Sequence, residues 1–69
     1  MIEEGVNYRR RFFQHNNGVI YRLVDYCKSQ VEGVWQDFVL YRDVSGELYS
    51  RSKEDFFSGK FKLLNKNSW

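Results

Sequence analysis

The chain has 69 residues, with 11 Lys and Arg against 9 Asp and Glu, a formal charge of +2, and aromatic residues at 19%. That length holds one domain, residues 1–69, with a thin core, because so short a chain buries only about 60% of the surface its unfolded form exposes. A single cysteine excludes an intramolecular disulfide scaffold, the mild charge argues against a dedicated nucleic-acid module, and no apolar run reaches membrane-spanning length.

Rings answer the shortage of residues, since each buries about 150–250 Å². A homodimer would bury more. The opening residues lack the basic start and apolar stretch of a signal peptide, and a lone thiol suits a reducing compartment. A soluble cytoplasmic protein is therefore expected.

Residues 1–5 are acidic and expected to fray. Residues 6–15 suggest a first strand, entered near Phe12 if Arg9-Arg10-Arg11 is an exposed lead-in. Asn16-Asn17-Gly18 is a turn, because Asn tolerates and Gly readily accepts positive φ. Residues 19–28 read as a second strand, with apolar side chains on both parities. A strand in a strongly bent barrel, touching protein on both sides, would show that mixture. A helix is the rival reading, and the β-branched and Tyr content favours strand. Residues 29–33 read as a polar loop broken at Gly33.

The organising stretch comes next. Residues 35–43 are expected to pair with residues 47–52 in a hairpin that reverses at Ser45-Gly46. Phe38 and Leu40 are assigned inward. Trp35, Val39 and Tyr41 share the other face, with Trp35 and Tyr41 partly exposed or packed by a neighbouring segment. Ser52 can cap a single helical turn by accepting from the amide of Asp55, and Phe56 or Phe57 would plug one end of the fold. Residues 60–64 give a last strand. Residues 65–68 are a tail, with Trp69 stranded at its end. The fold class is all-β: a small SH3-like barrel of about five strands, with one short helical turn before the last strand. The chain has no proline, so Lys60, Lys62, Glu47 and Arg51 would guard the strand edges by charge.

Residues 13–21, Phe13-Gln14-His15-Asn16-Asn17-Gly18-Val19-Ile20-Tyr21, follow the pattern aromatic-x-His-x-x-Gly-x-x-Tyr. Phe38-Val39-Leu40-Tyr41-Arg42, Leu48-Tyr49-Ser50-Arg51 and Phe56 follow in order. Over residues 13–57 the chain resembles the DUF1653 family of small bacterial and phage proteins. It departs from that family in three places. A His-Ser-Glu-Thr segment has no counterpart in residues 27–32, Tyr49 stands where the family has Trp, and Arg51-Ser52 stands where it has Arg-Pro. The resemblance implies a compact SH3-like β domain and no established activity. Small size and high aromatic content are also similar to phage accessory proteins that bind host proteins.

Little in the chain suggests catalysis. His15, the sole histidine, sits beside a turn, where structural hydrogen bonding is its ordinary role. With Cys27 it makes neither a zinc site nor an advertised dyad. The acid pairs Glu3-Glu4 and Glu54-Asp55 lie in polar segments. No cofactor, no metal and no enzymatic activity are expected. Two clusters remain. Arg9, Arg10 and Arg11, flanked by Tyr8 and Phe12, suit a solvated basic edge, a protein interface or a grip on single-stranded nucleic acid. Trp35, Tyr41, Tyr49 and Arg51 suit core and rim packing or an aromatic peptide groove. The expectation is a non-enzymatic binding module for a protein partner, a bacterial or phage accessory protein, with these residues and His15 as partner-binding candidates. The alternative is a weak nucleic-acid binder using Arg9–Arg11 and the neighbouring aromatics.

Overall fold

The computed structural model describes residues 7–69. The acidic opening, Glu3-Glu4 and the Val6 start of the expected first strand lie outside those residues. The elements run β1 (Phe12–His15), β2 (Ile20–Val31), β3 (Val34–Arg42), β4 (Leu48–Ser52), α1 (Lys53–Phe56) and β5 (Phe61–Leu64). All strands pair antiparallel in one sheet of order β4-β3-β2-β1-β5. The all-β class, the five strands and the helical turn before the last strand are as expected.

The sheet does not close into a barrel, because its edges β4 and β5 do not pair. It curls until their side chains meet. Neighbouring strands lie about 4.8 Å apart, so a flat sheet would hold β4 and β5 roughly 19 Å apart. Instead the Arg51 guanidinium of β4 lies 5.1 Å from the Phe61 ring centre of β5. Tyr41 of β3 lies 5.5 Å from the same ring. The segment between β4 and β5, with α1 in it, spans the gap and drops Phe56 into it. Within the concave face Phe56 stacks on Phe61 of β5 at 4.2 Å.

The concave face holds Tyr8, Phe13, Leu23, Val39, Tyr41, Phe56 and Phe61, all buried, with Tyr21, Tyr26, Phe57 and Leu63 packed against them. Inward and outward faces of β3 are therefore the reverse of expectation. Val39 and Tyr41 are buried, and Phe38 and Leu40 are half-buried on the convex side. The mixed parity of the second strand has a local cause. The register shifts between Leu23 and Asp25, leaving Val24 as a bulge. One inserted residue keeps Tyr21 and Leu23 inward before it and Tyr26 inward after it.

Two hairpin turns share one design. His15 N–H donates to Val19 O and Gly18 N–H to His15 O, while Asp43 N–H donates to Glu47 O and Gly46 N–H to Asp43 O. In each the first side chain accepts from the amide two residues on, His15 Nδ1 from Asn17 and Asp43 Oδ1 from Ser45. The glycines take φ values of 89° and 90°, the left-handed conformation that costs an L side chain energy. Ser52 caps α1 by accepting from Asp55 N–H, as expected. The Asp55 carboxylate pairs with Arg51 and Lys60.

Two further expectations are corrected. Residues 29–33 are not a loop, since β2 continues to Val31 and turns at Glu32 and Gly33, both with positive φ, directly into β3. Trp69 is not stranded. Its ring meets Phe12 edge-on at 4.9 Å on the convex side, where Phe12 is fully buried.

A projecting arm as the candidate functional site

β2 is 12 residues long, yet β1 pairs only with Ile20 to Arg22 of it, and β4 pairs with β3 only from Phe38 onward. Among the described residues, 28–31 and 34–37 therefore have only each other, and form a two-stranded arm beyond the sheet. The two-residue turn at its tip suits the strand twist, because both positions accept positive φ. Val31 pairs with Val34 on the convex side of the tip, and Trp35 lies opposite Gln30 on the other. Trp35 is 66% exposed and Val34 60%. Trp35 has the parity of buried Val39 and Tyr41, but at its position the sheet has no third strand to cover it.

The other expected binding residues are placed differently. Arg9 Nε donates to Asp25 Oδ1 at 2.6 Å, with its guanidinium 4.9 Å from the Tyr26 ring centre. Arg10 takes φ 69° and its amide donates to Leu23 O, while the Arg11 amide donates to Tyr8 O and its carbonyl accepts from Leu23 N–H. The run is a turn that feeds β1, not a row of parallel side chains. Arg9 meets a carboxylate, and Arg11 is half-buried. His15 serves its turn and packs edge-on to Phe61 at 4.8 Å. It lies on the concave side, whereas half-buried Cys27, opposite Phe38, lies on the convex side. No dyad joins them.

Tyr41, Tyr49 and Arg51 do converge, but within the concave face. Tyr41 is buried, so of its two expected placements it takes the one packed by neighbouring segments and not the partly exposed one. Tyr49 stacks on it at 5.5 Å, and Arg51 pairs with Asp55 at 3.1 Å. The Tyr49 hydroxyl donates to Asp43 Oδ2 at 2.9 Å. Among the described residues no group of three or more His, Cys, Asp and Glu is placed to hold a metal, and no helix is long and apolar enough to cross a membrane.

Hydrogen bonds to the Ser45 hydroxyl, the Tyr49 hydroxyl and two turn amides hold the Asp43 carboxyl below its ordinary value. Asp25 is lowered by the Tyr26 amide and Arg9, and Asp55 by Lys60 and Arg51. The bond to Asp43 pushes the Tyr49 phenol up to about 12. The signs differ at the two ends of the pH scale. Lowered carboxyls stabilise the fold above their unfolded pKa of 3.8, an effect lost as pH falls through the folded values. The raised phenol stabilises it below 10.0 and loses that effect as pH rises through about 12. Melting temperature should therefore be level at neutral pH and fall on both sides. In an ultraviolet titration, one of the five tyrosines should ionise last, and Tyr49→Phe should remove that late step. An unchanged titration in Tyr49→Phe would refute the assignment.

Sequence reasoning misses the arm because the polar residues 29–33 read as a loop. The Glu32-Gly33 pair between two valines is the available sign of a two-residue hairpin. Compared with family models, curated proteins and solved structures, the chain matches none.

Proposed function

We propose that the chain is a non-enzymatic binding module that engages a protein partner, as bacterial and phage accessory proteins do, and that the β2–β3 arm is the element it presents. The observation that carries this reading is Trp35, two-thirds exposed on an arm that pairs only with itself. An isolated hairpin is marginal in water, and a large ring left in solvent adds nothing to its stability. Trp is among the residues that dominate interface energies, and the arm's free edges can accept a partner strand.

The DUF1653 resemblance belongs to the same proposal. Of the residues that carry it, Phe13, Tyr21, Val39, Tyr41, Tyr49, Arg51 and Phe56 face the concave core and His15 and Gly18 build a turn, while Phe38, Leu40, Arg42 and Leu48 lie on the convex side. A motif so placed behaves as a signature of an SH3-like fold, not of a reactive site. Residence in a reducing cytoplasm fits the free thiol of Cys27.

The test is capture from bacterial lysate on the immobilised full chain, at low and moderate salt. A partner should be retained at moderate salt, persist with Lys28→Ala, and be lost with Trp35→Ala or Val34→Ser while circular dichroism stays unchanged. Retention of the same partner by folded Trp35→Ala would remove the arm from the interface.

A further inference from the structure

The strand register sorts charge between the two faces of the sheet. One row crosses all five strands on the convex face: Leu48, Arg42, Arg22, Phe12 and Leu64 are successive direct partners. The adjacent row holds Ile20, Gln14 and Lys62. Neither row contains a carboxylate. Two acids nearby are engaged elsewhere: Asp43 accepts from Tyr49 on the concave side, and Asp25 is held by Arg9.

Arg22 and Arg42 are directly opposed, an arrangement that destabilises a strand pair. Among the described residues, neither they nor Lys62 makes an ion pair. Arg42 donates to Gly46 O at 2.8 Å and Arg22 to Arg10 O at 3.4 Å, so both are held in place by neutral carbonyls. Arg22 is set further by the Phe12 ring, 5.2 Å from its guanidinium carbon. Lys66 approaches the same ring at 5.4 Å and donates to the Trp69 carbonyl, which folds the tail over β1. That fold leaves the Trp69 ring at the border of the basic row, 46% exposed.

We infer that this convex face binds single-stranded nucleic acid, with Arg42, Arg22 and Lys62 meeting phosphates and Trp69 stacking on a base. Fixed guanidinium groups without carboxylate partners complement a phosphate chain, and an anion between Arg22 and Arg42 relieves their repulsion. An aromatic face beside that track is how such proteins hold bases without reading sequence. The site is separate from the arm, and it adjoins the Arg9–Arg11 turn through the bond from Arg22 to the Arg10 carbonyl.

The experiment is fluorescence anisotropy of a labelled oligothymidylate of about 16 nucleotides, titrated with the full chain at several salt concentrations. The wild-type chain should bind at low salt and weaken linearly on a log–log plot. Lys62→Glu, at a side chain that holds no carboxylate, should weaken binding severalfold. The Arg42→Glu, Lys62→Glu double variant should weaken it at least about tenfold and flatten the salt slope by about 0.7 for each phosphate no longer engaged. Trp69→Ala should cost about tenfold, and Trp35→Ala nothing. Binding absent at low salt, binding untouched by folded Lys62→Glu, or equal competition by polyglutamate would each overturn the assignment.

Discussion

Phe56→Ala should leave the chain largely unfolded at 25 °C. Phe56 is fully buried, and its ring meets four others: Phe13 at 5.1 Å, Tyr41 at 5.3 Å, Phe57 at 5.0 Å and Phe61 at 4.2 Å. It comes from α1 and fills the seam between two strands that have no backbone bonds to each other. Truncating a buried Phe costs about 3–5 kcal/mol through lost transfer energy and the cavity left behind. A single core this small supplies a net stability of about 3–5 kcal/mol, so the loss matches the whole. Phe56→Leu keeps most of the volume and should cost roughly 1–2 kcal/mol, giving a folded protein with a lower urea midpoint. Circular dichroism melts and urea titrations of both variants test this. A cooperative melt at the wild-type temperature in Phe56→Ala would show that the seam is held by something other than that ring.

The same seam marks what the sequence could and could not convey. The succession of elements along the chain, the two glycine turns and the Ser52 cap rest on local chemistry within a few residues, and each was legible. Closure depends on residues far apart in the chain, and nothing local says whether β4 reaches β5 or stops at a ring. The Val24 bulge is also invisible to a period-two count. It turns two clean alternations, Tyr21-Leu23 and Tyr26-Lys28, into one blurred run. The inversion of β3 is equally hidden, because exposed Trp35 shares the parity of buried Val39 and Tyr41. Trp35 is exposed because the sheet ends before it, not because its parity points outward. The convex basic row was out of reach for a different reason. Arg22 and Arg42 are brought opposite each other, and Lys62 onto the same face, only by the register of four strands, and no spacing in the sequence records that.

Tyr41 and Trp35 lie on one strand, share one parity and are both large rings, yet their alanine variants should behave oppositely. Tyr41 sits among Tyr21, Tyr49, Phe56 and Phe61, at 5.1 to 5.5 Å. Each of these comes from a different element, so Tyr41→Ala removes a ring that ties four segments together. It should cost about 3–5 kcal/mol and leave little folded protein. Trp35 packs on none of these rings, and two-thirds of it is in solvent. Surface substitutions of that kind move stability by about 0.5 kcal/mol or less. Trp35→Ala should therefore keep the wild-type urea midpoint within error while abolishing partner capture. Tyr41→Phe should keep the fold, since Tyr41 contributes its ring to the cluster. If Trp35→Ala lowered stability as much as Tyr41→Ala, the arm would be part of the core, and the surface proposed for a partner would already be occupied by this chain.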